Sequence, residues 1–266
     1  MNMFVFELKS TWKSTMIWSS VLGIWIILLS SLFPSFSVNA TVITKVLEGY
    51  PEAVRNVLGL RPDSFKDFIG YYTFAFQGIV ELGAVQAMIL GATIIFKEVR
   101  GKTADFLFSK PITRQQIMTS KLLAASVSLA ITNVIYLVVA LVSALLVAPE
   151  PINMKIFLML SMTLLFVQLI FMSFGILSAV LFPRMKSATA ISIGALFFFV
   201  ISYDLLKPIM GEYTVRYLIP FEYFSSEFIV KYAAYEAPFI ITTILVIVIS
   251  LATSYFLYAR KDVQAS

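Results

Sequence analysis

Six long apolar stretches constrain this chain more than any other feature of its sequence. The hydrocarbon core of a bilayer is about 30 Å thick, and a helix needs about 20 apolar residues to cross it. Stretches of about that length or longer lie at residues 16–34, 71–96, 119–148, 155–182, 188–207 and 238–258. They predict one all-α polytopic membrane domain over residues 1–266, with six transmembrane helices.

The composition agrees with a membrane protein and excludes several kinds of site. Hydrophobic residues make up 59% of the chain and charged residues only 13%, about half the usual share in soluble domains. A signal peptide does not explain the first stretch, because five more follow it. The chain has no Cys and no His, which removes disulfides, the usual zinc sites, and Ser–His or Cys–His nucleophile pairs. We therefore expect no metal and no cofactor in this chain.

The residues before the first stretch predict a short amphipathic helix. Phe4, Leu8 and Trp12 recur at helical spacing, while charged side chains take the other faces. Such a pattern is typical of a helix that lies in the membrane interface. We assign it to residues 1–15.

The charges predict which side of the membrane holds the termini. Six spans put both termini on one side, and that side would carry twelve Lys or Arg against four acidic residues. The other side would carry eight Lys or Arg with ten acidic residues, and Glu81 lies within a span. By the positive-inside rule, both termini are cytoplasmic. Membrane topology accounts for the net charge of +5, so we expect no nucleic-acid partner.

Two substantial segments, residues 35–70 and 208–237, fall on the predicted outer side. The second contains an aromatic cluster, which consists of Tyr213, Tyr217, Phe221, Tyr223 and Phe224. An aromatic belt at the headgroup level explains such a cluster, and a platform for departing substrate is the alternative.

The predicted cytoplasmic segment 97–118 has ordered local chemistry. Residues 104–108 are apolar apart from Asp105 but too short to span a membrane, so we expect them to pack against something. Pro111 ends that stretch, since the residue before a proline avoids the α region. Thr113 and Gln116 have the spacing of a capping box that starts the next helix. Basic inner loops are common in polytopic proteins, so each cation of this segment, taken singly, has a purely topological explanation.

The same segment resembles a known family. Glu98, Arg100, Gly101 and Thr103, followed by the string FLFSKPITR and by Lys121, are similar to the motif that joins the second and third spans of ABC-2 type transporter permeases. The upstream strings YPEAVRNVLGL and FIGYY are similar to the outer segment of that family. The resemblance covers the six-span architecture from end to end.

The resemblance implies a permease that pairs with a separate cytoplasmic ABC ATPase and with a second permease, identical or different. Residues 98–108 would form a coupling helix held in a groove of the ATPase. Its polar contacts would come from Glu98, Arg100 and Asp105, and Phe106 would fill an apolar notch. The remaining coupling residues implied by the motif are Gly101, Thr103, Pro111 and Arg114. For cargo, the resemblance points most often to the export of peptides, lipid-linked compounds or hydrophobic compounds across a bacterial plasma membrane, and sodium or drug efflux is also known for similar chains.

The chain has no phosphate-binding loop, since the string G-x-x-x-x-G-K-[ST] does not occur in it. We therefore expect this chain not to be an enzyme, and ATP and Mg²⁺ to bind the partner ATPase. In the implied mechanism, closure of the ATPase pair moves residues 98–108 as a lever. The first, second and fifth spans then tilt and open a route outward.

Within the predicted spans, Glu81 is the ionisable residue that lies deepest. An intramembrane carboxylate is costly and marks a functional site by default, and Gln77 lies one turn away on the same face. We predict that the two contact cargo or gate its passage, although hydrogen bonding to neighbouring helices is an alternative. Two rival functions stay open: an ion-coupled secondary transporter with Glu81 as proton carrier, and a membrane anchor for a cytoplasmic enzyme.

Other intramembrane residues predict helix packing. Asn133 and Gln168 are isolated polar residues in the third and fourth spans, where hydrogen bonds between helices are their commonest use. The small-residue pairs Gly175 with Ala179 and Ala190 with Gly194 predict faces where helices approach closely. We expect internal packing there first, and dimerisation second.

Overall fold

The computed structural model describes residues 3–51, 65, 67–100, 113–183 and 187–260, with the backbone alone for 97–100, 114 and 259–260. Within these residues the regular structure is helical. In chain order the helices are α1 (Met3–Val38), α2 (Ala40–Glu48), α3 (Phe68–Arg100), α4 (Arg114–Val147), α5 (Met154–Leu181), α6 (Ala188–Met210), α7 (Glu212–Arg216), α8 (Ser226–Tyr232) and α9 (Ala237–Arg260), with a 3-10 turn at Pro220–Glu222 before α8.

Six of these helices are long and apolar enough to cross a membrane, namely α1, α3, α4, α5, α6 and α9. This confirms the prediction of an all-α protein with six candidate spans. Polar side chains start several of the helices. Asn153, Ser187 and Ser225 each accept a hydrogen bond from a backbone N–H in the first turn of α5, α6 and α8, which satisfies donors that the helix itself leaves free.

The start of α1, the start of α4 and the end of α9 meet at one end of the bundle. Glu7 of α1 bonds Lys121 of α4, and Thr119 of α4 shares a 2.8 Å hydrogen bond with Tyr255 of α9. We call this the termini end. The opposite end, which we call the loop end, carries α2, α7 and α8.

The core of the bundle lies between two helix pairs. Helix α3 packs along α5, and α1 packs along α4. Helix α9 contacts α5, whereas α6 contacts mainly α3. In the most apolar stretch of α3, 78% of the residues are buried, against 6% in that of α6. Helix α3 is therefore the central helix of this chain and α6 a peripheral one.

The structure corrects the prediction of a separate interfacial helix over residues 1–15. The chain runs from Met3 into the first span as one helix, since nothing in this region breaks it. One polar stripe of this segment is buried, since Glu7, Thr11 and Thr15 are each 4% exposed. Lys9 and Lys13 on the other sides are exposed.

The two predicted small-residue faces have different environments. A Cβ added to Gly175 would clash with the carbonyl oxygen of Met88, and one added to Gly91 would clash with that of Met172. Helices α3 and α5 thus approach closely through these glycines, which confirms the prediction for Gly175. At Gly194 in α6 an added Cβ meets nothing within 4 Å among the described residues, so that face is not packed internally.

Candidate functional site

Most of the predicted ATPase-coupling residues lie outside the described part of the chain. These are Gly101, Thr103, Asp105, Phe106 and Pro111. For three more, the structure describes the backbone but not the side chain, and these are Glu98, Arg100 and Arg114. Their predicted contacts stay predictions. The described end of α3 and the start of α4, between which the segment runs, both lie at the termini end.

The predicted capping box is present at the start of α4. The Thr113 hydroxyl accepts a hydrogen bond from the Gln116 N–H at 3.2 Å, and the Gln116 side chain accepts one from the Thr113 N–H at 3.0 Å. Two N–H groups that would otherwise lack a partner are satisfied in this way. Ile117 is buried one residue later. Helix α4 therefore begins with a fixed first turn where it leaves the predicted coupling segment.

A buried ion pair ties three spans together at the termini end. Lys121 Nζ lies 2.8 Å from Glu7 Oε1 and donates a 2.6 Å hydrogen bond to the carbonyl oxygen of Ile94. Lys121 is 1% exposed and Glu7 4%. Removing one partner of a buried pair leaves a charge without compensation, at a cost of about 3–5 kcal/mol. Helices α1, α3 and α4 are thus fastened to one another a few residues from the predicted coupling segment.

Local sequence patterns do not reveal this ion pair, because Lys121 also fits among the cations of the predicted cytoplasmic side. The sequence of α1 does indicate a buried polar face. Glu7, Thr11, Thr15 and Ser19 recur every four residues, which places them on one helical face. A polar stripe on a span indicates a buried polar interface rather than lipid contact.

The polar stripe of α1 pairs with hydroxyl groups of α4. Thr11 shares a 3.0 Å hydrogen bond with Ser128, and Ser19 donates one of 3.3 Å to Thr132. Thr132 also accepts a hydrogen bond from the Gln86 amide of α3 at 3.0 Å. The ion pair is therefore the first of a series of polar contacts that runs from the termini end into the bundle.

The side-chain amides of three helices continue this series. Gln168 of α5 donates to the Gln86 side chain at 3.1 Å and accepts a hydrogen bond from Asn133 of α4. Gln168 is fully buried and Gln86 is 3% exposed. The predicted interhelical role of Asn133 and Gln168 is confirmed, and Gln86 joins them. Hydrogen bonds of this kind in membranes contribute about 0.6 kcal/mol each on average.

Glu81 and Gln77 both line a cavity of about 240 Å³ between α3, α5, α6 and the segment that follows α6. Gln77 forms a hydrogen bond with the Glu81 carboxyl group. On the facing side, α6 contributes Asp204 and Lys207. Asp204 and Glu81 belong to different spans, so the spacing of residues along one span does not bring them together. Helical spacing now places Asp204 and Lys207 on the one face of α6 that meets the cavity.

A second buried ion pair lies beside the cavity at the loop end. The Arg216 guanidinium binds both carboxylate oxygens of Glu236, and its Nε donates to the carbonyl oxygen of Glu222 at 2.9 Å. The guanidinium also lies over the Phe239 ring, 4.1 Å from the centroid. Bidentate pairing with a stacked ring is a geometry that only Arg provides. It fastens α7 to the start of α9.

The predicted aromatic belt is only partly exposed. Tyr213 is 56% exposed, but Tyr223 is buried and donates a 3.0 Å hydrogen bond to the carbonyl oxygen of Tyr217. Tyr235 likewise donates to the carbonyl oxygen of Met159 at 2.7 Å. Burial raises the pKa of Tyr223 and of Tyr235 to about 12, so both phenols stay protonated and keep these bonds. Part of the cluster therefore holds the loop end together rather than facing the headgroups.

A comparison with protein families matches residues 7–263 to the ABC-2 family transporter proteins. The match reaches from the buried acid of α1 to beyond the end of α9. The chain belongs to the ABC-2 transporter family. No curated protein matches it. As a member of that family, this ABC-2 permease is a multi-pass membrane subunit of a transporter, as its six apolar helices indicate.

Proposed function

We propose that this ABC-2 permease is the membrane half of an ATP-driven exporter in a bacterial plasma membrane, with both termini in the cytoplasm. A separate ABC ATPase would bind residues 98–108, and two permeases would assemble with two ATPases. The observation that carries the proposal is the family match over residues 7–263, which includes the whole coupling segment between α3 and α4.

The surroundings of that segment support its role in coupling. Helix α3 leads into it, and α4 leaves it through the Thr113 capping box. The Lys121 ammonium group joins α4 to α1 and to a carbonyl group of α3. A push on the segment would therefore move the termini ends of three helices together, because bending one of them alone would break a buried charge contact.

The chain itself contributes no catalytic group to this cycle. ATP and Mg²⁺ belong to the partner ATPase in the proposal, and this chain converts closure of the ATPases into helix movement. Helix α6 is suited to such movement because few of its residues are buried. In our proposal α1, α3 and α6 tilt, and the route for cargo opens toward the loop end.

For cargo we propose a hydrophobic or amphipathic compound such as a peptide, a lipid-linked compound or a drug. Glu81 and Gln77 would contact it or control its passage, since they line a cavity within the spanning region. An ionisable residue inside a membrane indicates a functional site by default, and a transport pathway is one such site.

The proposal is tested by expressing the chain with the open reading frames beside its gene and assaying ATPase activity that co-purifies in detergent. The informative variant is Phe106→Asp, which puts a charge on the proposed apolar anchor. Phe6→Asp is the matched control, because Phe6 is 54% exposed near the termini end and lies outside the coupling segment. We expect Phe106→Asp to remove most of the co-purified ATPase and Phe6→Asp to retain it.

Three outcomes would contradict the proposal. If well-folded Phe106→Asp retains the ATPase, residues 98–108 are not the coupling site. If no ATPase co-purifies with the wild-type chain, and Glu81→Gln still abolishes transport, the chain is a carrier that uses Glu81 instead. If the outer segments 35–70 and 208–237 can be deleted without loss of the ATPase-dependent activity, the chain is a membrane anchor for a cytoplasmic enzyme.

A further inference from the structure

The cavity that holds Glu81 is long and reaches deep into the bundle. Thr73, Gln77 and Glu81 line it from α3 at intervals of four residues, so they form one stripe on that helix. At 1.5 Å per residue the stripe is about 12 Å long. Glu81 lies 13 residues after Phe68, the first residue of α3, or about 20 Å along the helix. The carboxyl group is thus at the inner end of an elongated space.

The side chains around this space have an excess of negative charge. The ionisable residues that line it are Glu81, Asp204, Lys207, Glu212, Arg216 and Glu222. Both cations already have carboxylate partners. Neither Glu81 nor Asp204 forms an ion pair with a described residue. Carboxylates in such surroundings are stabilised by an opposite charge that enters the cavity, since water compensates them only in part.

Much of the remaining wall is aromatic or aliphatic, and the rest carries the hydroxyl groups of Thr73, Thr163, Ser225 and Ser226. Phe74, Phe221 and Phe224 line the cavity, and Tyr203 stands beside Asp204 on α6. Aromatic faces attract organic cations, most strongly where water is excluded. They also take up apolar groups without loss of hydrogen bonds. The cavity therefore combines carboxylates with a surface that suits the body of an organic ion.

We propose that this cavity binds the cationic group of an amphipathic organic monocation, with Glu81 and Asp204 as its counter-ions and the aromatic walls around its apolar part. The inference rests on the proposed transport function and names the cargo class for the same site. The two carboxylates would select cationic amphiphiles over neutral and anionic ones, whereas a purely hydrophobic pathway would accept all three equally well.

A matched pair of probes tests this directly. The fluorescent cation dimethylaminostyryl-N-methylpyridinium would be titrated into the purified full chain in lipid nanodiscs. Its neutral analogue lacks only the N-methyl group and would be measured above the pKa of its pyridine nitrogen. We expect the cation to bind at least about tenfold more tightly than the analogue, because only the cation carries the charge that the two carboxylates and the aromatic faces attract.

Three variants locate the contact. Glu81→Gln and Asp204→Asn each remove one carboxylate without a change of shape, and we expect each to weaken binding of the cation by about tenfold. Neither should change binding of the neutral analogue. Glu150→Gln is the control, because it removes the same charge from an exposed position at the loop end, outside the cavity lining. It should leave both affinities unchanged.

The proposal is overturned if both probes bind with equal affinity, or if Glu150→Gln weakens binding of the cation as much as Glu81→Gln does. It is also overturned if sodium ions displace the bound cation at equal ionic strength while choline does not. The last result would assign the cavity to small inorganic cations. If the Glu81→Gln variant fails to fold, the affinity of the Asp204→Asn variant for the cation decides whether the carboxylates bind it. Co-purification of the ATPase is measured separately, so it tests the permease proposal independently of cation binding.

Discussion

Helices α3 and α6 have nearly the same mean hydropathy, yet one is the most buried span and the other the least. What separates them is the distribution of small and polar residues. Helix α3 brings Gly91 against the backbone of α5 and Gln86 into the amide network. Helix α6 has Ser192 as its buried residue, and no atom of the described residues lies within 4 Å of a Cβ added to Gly194.

Apolarity therefore identifies a span but not its position in the bundle. Lipid is as apolar as a Leu side chain, so burying more apolar surface gives little drive for helices to associate. Close backbone approach and hydrogen bonds decide which helices pack inside. The following substitutions each remove one of these contacts or make the same change at an unpacked position on α6.

The largest effect is expected for Lys121→Met, since it leaves the Glu7 carboxylate buried without its partner. Unfolding in detergent should require about 3–5 kcal/mol less free energy than in the wild type, measured by denaturant or thermal titration. The double variant Glu7→Gln with Lys121→Met should recover part of this loss, because no charge is then left behind. A double variant less stable than Lys121→Met would contradict the ion pair.

Gly91→Ala should destabilise the chain by about 1–3 kcal/mol. The added methyl group meets the Met172 carbonyl oxygen and the Ile176 nitrogen, which are backbone atoms that cannot turn away as a side chain does. Helices α3 and α5 would have to separate. An unchanged midpoint of thermal unfolding would mean that the two helices do not approach this closely in the membrane.

Gln168→Leu should cost about 1 kcal/mol, because it removes hydrogen bonds to two neighbouring helices at once. A double-mutant cycle with Asn133→Leu measures the coupling between these two residues. We expect the two losses to be less than additive, since both variants break the same hydrogen bond. Strict additivity would indicate that the amides do not interact.

Gly194→Ala is expected to have the smallest effect, within about 0.5 kcal/mol of the wild type. It makes the same chemical change as Gly91→Ala, but at a position with nothing within 4 Å among the described residues. A loss as large as that of Gly91→Ala would mean that this face of α6 is packed in the assembled transporter, and would reverse the comparison.

Local patterns in the sequence predicted the local features of this fold well. The six spans follow from length and apolarity, and the capping box follows from residues three positions apart. The ion pair could not be found in this way, because Glu7 and Lys121 are 114 residues apart. Likewise, helical spacing joined Gln77 to Glu81, but only the packing of α6 on α3 brought Asp204 to the same cavity.

The prediction of a separate interfacial helix was wrong for a related reason. The apolar face of residues 4–12 was assigned to the headgroups because the sequence does not show which helix contacts Glu7 and Thr11. That partner is α4, through Ser128 and Lys121. A polar stripe on a helix thus has two explanations, water and another helix, and only the fold distinguishes them.

The capping box at Thr113 has a mechanical consequence. A helix whose first turn is loose absorbs an applied force by unwinding, so little of that force reaches its far end. Helix α4 has 34 residues and is about 50 Å long, and its first peptide groups are already held. It would therefore behave as a stiff rod, and a torque applied at its capped end would be delivered across the whole thickness of the membrane.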